Sequence, residues 1–219
     1  MDVVGETLKI LNDARQKSDS VLVSYSGGKD SLVTIDLCAR TFKTLEAFFM
    51  YFVPGLECVE ESLALAERKF GIKIHQYPHW ITGRALTGGT YSNAYFKKDI
   101  PDWTLRDVYD LASADTHIRV IATGAKRSDS QWRKRNLAAC PYDDVIYPIV
   151  GWTKPDVISY LKSRKIPIPQ GSSGNATGID LSTPSLLWLH DTHPNDFKKL
   201  CEVFPYAEAV VWRRSFFSE

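Results

Sequence analysis

Residues 20–35 read SVLVSYSGGKDSLVTI, and two kinds of structure meet inside them. A Val/Leu-rich run ends in Ser26-Gly27-Gly28-Lys29-Asp30-Ser31, and a helical pattern follows at once through Leu32, Val33, Ile35 and Leu37. Strand, glycine turn and helix in that order aim several backbone N–H groups at one point, at the positive end of a helix dipole. Gly27 and Gly28 let the backbone approach a large anion with no Cβ in the way. The hydroxyls of Ser26 and Ser31 and the ammonium of Lys29 can complete the shell. A plain tight turn often carries Gly-Gly, but it has no need of two flanking serines and an aspartate. The expectation is a phosphate site.

The pattern continues outward from this turn. Strand-like runs fall at 21–25, 47–53, 72–77 and 118–123, with helical patterns at about 31–41, 58–70 and 104–114. Leu63, Leu65, Ala66 and Phe70 give the second helix its apolar side, and Thr104 with Asp107 reads as a capping box opening the third. The first residues predict an amphipathic helix with Val4, Leu8, Leu11 and Ala14 on one face. Alternating strands and helices imply an α/β fold with a mostly parallel sheet flanked by helices. Ligands bind such sheets outside the carboxyl ends of the strands, where the glycine turn sits. Residues 78–103 have no steady period and read either as a lid or substrate loop or as a segment ordered locally by its aromatics. A helix is expected at about 154–164 with Val157, Ile158 and Leu161 inward, a Pro/Gly/Ser loop at 167–175, and helix again at about 183–204.

A second strand–glycine–helix turn follows the run at 120–123: Gly124-Ala125-Lys126-Arg127-Ser128-Asp129-Ser130-Gln131-Trp132-Arg133-Lys134-Arg135. Cations at a helix N-terminus oppose the dipole, so the sequence accepts a cost there that an anion would offset. Arg offers a planar fork suited to phosphate or sulfate. The bland reading is a solvated basic helix start.

Together these stretches resemble a known family. The first turn is not a Walker A loop; it resembles the SGGxDS loop of the PP-loop ATP pyrophosphatases, with Lys29 at the variable place. The second resembles the TGxRxxxSxxR block of the 3′-phosphoadenylyl-sulfate (PAPS) reductase family, through Gly124, Arg127, Ser130 and Arg133. Pro148 to Trp152, with Asp156, Val157, Tyr160 and Leu161, resembles that family's P-L-x-x-W-x-x-x-D-V-x-x-Y-I segment. The blocks span about residues 20–170. The resemblance implies a Rossmann-like, adenine nucleotide alpha hydrolase-like domain over 1–170 and a short helical extension over 171–219. It implies ATP or PAPS as the nucleotide, with Mg²⁺ beside ATP. Lys29, Asp30 and Arg127 are then the candidate catalytic residues. Ser26, Gly27, Gly28, Ser31, Gly124, Lys126, Ser130 and Arg133 would hold the nucleotide.

Three departures qualify it. Val53-Pro54-Gly55 stands where the family has Asp-Thr-Gly. Residues 205–219 contain no cysteine, so the C-terminal nucleophile of the reductases is missing. The cysteines of the adenylyl-sulfate reductases' cluster are missing too. The four cysteines, Cys38, Cys58, Cys140 and Cys201, lie far apart without a CxxC pair, and neither an iron–sulfur cluster nor a disulfide framework is expected. Cys140 follows a cationic helix, which would lower its pKa, but also reads as a half-buried small residue before Pro141. His190, His193, Asp191 and Asp196 form too loose a pattern for a metal and read as caps around Pro194. Asp180 is a weak substrate-side candidate.

Composition sets the remaining bounds. Of 219 residues, 27 are Lys or Arg and 26 Asp or Glu, a net charge of +1, so any basic site is local. No apolar run has the length of a membrane span, and the first residues do not read as a secretory signal. Cytoplasm is the expected compartment, and a homo-oligomer is left open. Three functions compete: adenylyl transfer from ATP to an acceptor, nucleic acid or small molecule; a sulfonucleotide reductase or sulfotransferase-like enzyme without its usual Cys; and a non-catalytic nucleotide-binding or regulatory protein.

Overall fold

The computed structural model describes residues 3–93, 100–139, 142–168 and 180–217. Ten α-helices and five strands are formed by them. In chain order they are α1 (Val3–Lys17), β1 (Ser20–Ser24), α2 (Lys29–Ala39), β2 (Thr44–Tyr51), α3 (Glu57–Phe70), β3 (Ile74–Pro78), α4 (Thr82–Thr87), α5 (Leu105–Thr116) and β4 (Ile121–Thr123). Then come α6 (Gln131–Ala139), β5 (Val145–Ile146), α7 (Lys154–Ser163), α8 (Thr183–Thr192), α9 (Pro194–Val203) and α10 (Glu208–Phe217). The strands form one parallel sheet in the order β3-β2-β1-β4-β5. β1 is central and pairs with both β2 and β4. The chain winds away on one side of β1, then returns to build the other side. The crossing point therefore lies between β1 and β4, where open α/β sheets bind ligands.

Both faces of the sheet are covered, and the period-2 alternation of β1 shows how. Val21 and Val23 face a cluster with Leu32 and Ile35 of α2, Val157 and Leu161 of α7, and Leu186, Leu189 and Leu200 of α8 and α9. Leu22 points to the opposite face, into a smaller cluster with Phe48, Ile121 and, from α5, Val108, Tyr109 and Ala112. Capping boxes open α5 (Thr104 with Asp107) and α7 (Thr153 with Asp156). Asp36 of α2 accepts from Tyr160 Oη of α7 at 2.7 Å. At the other end of the core, Thr7 of α1 accepts from Trp152 Nε1 and donates to Pro148 O, both at 2.8 Å.

The structure corrects several sequence expectations. α1 buries Thr7, Leu11 and Ala14, while Val4 and Leu8 are more than half exposed. Its inward face is turned by about one residue, because buried Thr7 has hydrogen-bond partners across the core. Leu65 faces solvent, and α3 packs through Val59, Leu63 and Ala66. Helix over 183–204 is two helices, broken at His193-Pro194, where proline cannot continue the ladder. Part of the 78–103 segment forms α4, and residues 94–99 of it lie outside the described residues. So do Cys140 and residues 169–175 of the Pro/Gly/Ser loop. No helix among the described residues is long and apolar enough to cross a membrane.

Candidate functional site

Two loops leave the carboxyl ends of β1 and β4 and meet at the crossing point. In the first, Gly27 adopts φ +74°, a left-handed conformation that glycine takes without strain. Gly28 is the N-cap of α2 and supplies no side-chain cap. The first turn of α2 therefore presents its amides outward, with the dipole behind them. The serines shape the loop: Ser31 Oγ donates to Gly28 O at 2.9 Å, the Ser26 amide donates to Ser31 Oγ at 3.3 Å, and the two hydroxyls lie 3.3 Å apart. Lys29 Nζ lies 2.8 Å from Asp30 Oδ2.

The second loop is fastened beneath the first. Lys126 is 2% exposed, and its Nζ lies 2.8 Å from both Asp30 Oδ1 and Asp129 Oδ1. Asp129 also receives the Lys126 amide at 3.0 Å. Gly124 makes the approach feasible: a Cβ there would sit 2.9 Å from the carbonyl carbon of Asp30 and 3.0 Å from Ser31 N. Ser130 Oγ accepts the Arg133 amide at 3.0 Å, inside the first turn of α6. Arg127 turns to α1, where its guanidinium donates to Glu6 Oε1 at 3.1 Å, and its amide donates to Val150 O at 2.9 Å. Arg133 is exposed, and its charge is felt at Tyr109, whose hydroxyl reaches Ser24 at the end of β1. The structure thus brings together Ser26, Gly27, Gly28, Lys29, Asp30, Ser31, Gly124 and Lys126. It leaves Arg133 exposed on α6 and turns Arg127 to Glu6 of α1.

The carboxyl ends of β2 and β3 add an aromatic rim. Phe52 stacks on His79 with centroids 4.5 Å apart and planes at 15°, and Trp80 lies 6.0 Å beyond. Burial pulls the His79 pKa down to about 4, against a small opposing pull from Asp180. Asp180 itself accepts from the Ser182 amide at 2.9 Å at the start of α8. Cys38 is buried and its thiol is pushed far up; burial also raises Cys201 to about 11 and, with Asp196 as partner, Cys58 to about 12. These three thiols are protonated at neutral pH and are poor nucleophiles. Sequence reasoning missed Asp129 and Glu6, the acids that take up Lys126 and Arg127. Asp129 had a signal in its i, i+3 spacing from Lys126; Glu6, 121 residues from Arg127, had none.

A glycine loop, an uncapped helix start and a parallel sheet that reverses its winding beside them define a nucleotide-binding α/β protein. Over residues 20–170 the chain matches the phosphoadenosine phosphosulfate reductase domain, and it belongs to that family. No curated protein matches it. Among solved structures it is similar to the U34-tRNA thiolase NcsA from Methanococcus maripaludis, described with its [4Fe-4S] cluster. The two are 15% identical with a TM-score of 0.49, over 93% of this chain and 80% of that one. It is also similar to an NH3-dependent NAD synthetase from Campylobacter jejuni in complex with nitrate, at 14% identity and a TM-score of 0.45, over 100% and 97% of the chains. At these scores neither protein's activity carries over to this chain. One expectation is nevertheless withdrawn. Cysteine spacing gave no reason to expect an iron–sulfur cluster, yet the thiolase carries one. Spacing along a chain does not say which thiols a fold gathers, and Cys140 lies outside the described residues.

Proposed function

We propose that this chain binds an adenine nucleotide across the carboxyl edge of its sheet and transfers the adenylyl group of ATP to an acceptor. The observation that carries the reading is the open N-terminus of α2 behind Gly27 and Gly28, at the crossing point between β1 and β4. Amides and dipole there suit the phosphates of a nucleotide. An acceptor oxygen attacks the α-phosphorus, the bond to the bridging oxygen breaks, and pyrophosphate leaves with the electron pair. Catalysis of this kind rests on positioning and on stabilising spread negative charge. The Gly28–Ser31 amides and Lys29 meet that charge, and Arg133 approaches from the second loop. Lys126 acts by holding Asp30 and so the loop itself. Both oxygens of Asp30 face lysine ammonium groups, so Mg²⁺ would have to displace one of them to reach this carboxylate.

The reductase reading finds less support, since the three described thiols are all raised by burial. The deciding experiment follows ATP labelled separately at the α- and γ-phosphates, with nucleic-acid and small-molecule acceptors. Release of labelled pyrophosphate with α-label retained on an acceptor is expected. Release of inorganic phosphate alone, or sulfite release from PAPS with a thiol donor, would overturn the reading. Nucleotide binding without any turnover would leave a binding protein.

A further inference from the structure

α3 opens without a side-chain cap of its own. Asp196 of α9 supplies one from 139 residues away: the Glu57 amide donates to Asp196 Oδ1 at 2.8 Å and the Cys58 amide to Oδ2 at 2.9 Å. The carboxylate is 5% exposed. Beside it stand the Cys58 thiol and the His193 imidazole, and one donor atom from each of the three residues lies within 4.8 Å of the other two. Trp188 packs on the His193 ring at 5.0 Å between centroids. This is one thiol, one imidazole and one buried carboxylate, drawn from α3 and the α8–α9 junction. Helix capping needs only the carboxylate. It explains neither the thiol nor the imidazole.

We propose that Cys58, His193 and Asp196 form a site for a zinc-class divalent cation. Sulfur, nitrogen and oxygen donors together suit zinc and its neighbours, whereas magnesium and calcium take oxygen alone. Three protein ligands leave a fourth position for water. Each Asp196 oxygen spends one lone pair on an amide and keeps another for the metal. Binding replaces the thiol proton: the Cys58 S–H bond breaks, a sulfur–metal bond forms and one proton leaves to solvent. Tetrahedral ligation needs donors about 3.5 Å apart, a separation that small rotations of the Cys58 and His193 side chains supply. The thiolate and carboxylate together outweigh the unfavourable dipole at the start of α3.

Cobalt(II) reports the site directly, using the full chain. Titration should produce a sulfur-to-metal charge-transfer absorption that saturates at one equivalent and disappears when zinc is added. Cys58→Ser should abolish the band, and His193→Gln should weaken cobalt binding more than tenfold, with both variants folded by circular dichroism. Affinity should fall as pH is lowered, since a proton is displaced. The thermal response to ATP should be the same in Cys58→Ser as in the wild type, which separates this site from the glycine loop. A wild-type protein that gives no thiolate band, or a band that survives in Cys58→Ser, would overturn the proposal.

Discussion

The loops after β1 and β4 look alike in sequence, each a strand, a glycine, a serine-flanked basic stretch and a helix, yet they are used differently. The first keeps its backbone donors open: Gly28 leaves α2 uncapped, and the serines bond to the loop rather than to its mouth, while Lys29 pairs with Asp30. The second spends its charges internally. Lys126 is held by two aspartates, Arg127 by Glu6, and Ser130 by an amide of α6; Arg133 is exposed on α6. Counting cations in a motif therefore overstates what a ligand meets. One loop is a cradle, and the other is largely the fastening that keeps the cradle in shape.

The contrast can be broken most sharply at Gly28. Its φ of −87° and ψ of 164° suit any residue, so Gly28→Val should fold with nearly unchanged stability. It should nevertheless lose the rise in melting temperature that ATP gives the wild type, with affinity down about a hundredfold or more, roughly 2.7 kcal/mol. A variant that folds and keeps the ATP shift would place the phosphates elsewhere. In the second loop the balance should reverse. Lys126→Met should cost roughly 2–3 kcal/mol in urea unfolding, short of the ~3–5 kcal/mol for a fully buried pair because Asp30 and Asp129 keep some water. An unchanged unfolding midpoint would mean the fastening role is wrong.

The two arginines sharpen the comparison further. Arg133→Ala should weaken nucleotide binding by about 1.5–3 kcal/mol, the range of a charge-assisted hydrogen bond, by calorimetric titration. Arg127→Ala should cost less, about 1–2 kcal/mol, since a ligand must first take Arg127 from Glu6; Glu6→Gln should raise affinity by releasing it. Equal losses in both alanine variants would erase the distinction. Near neutral pH the smallest effect is expected at the β3 end. His79 drops to about 4 when folded, so between pH 6.5 and 4 the unfolded chain binds the proton in preference. Its contribution is intact above pH 6.5 and is lost as pH falls toward 4. His79→Phe should flatten that part of the stability–pH curve, measured by denaturant unfolding across the window.

Much of this was legible in the chain. β1, α2 and the glycine turn could be read because a buried parallel strand is a continuous apolar run, and its turn chemistry is local. β5 could not, because two residues carry no period. The α1 face slipped because a buried threonine is polar by composition and inward only through its partners on Pro148 and Trp152. At the site, the glycines and serines declared themselves through backbone geometry. The arginines did not, because their direction depends on acids such as Glu6, which only folding brings near.

Asp196 carries one more consequence. The segment shared with the family ends at residue 170, yet the apolar cluster on the Val21 and Val23 face is completed by Leu186, Leu189, Leu200 and Phe204. α3 in turn borrows its N-terminal acceptor from α9. The stretch that matches the family and the stretch that builds the core are thus different lengths. A chain cut after the matching segment would bare the amides of Glu57 and Cys58 and one side of the sheet's main core. For this molecule the last helices are part of the foundation rather than an annex.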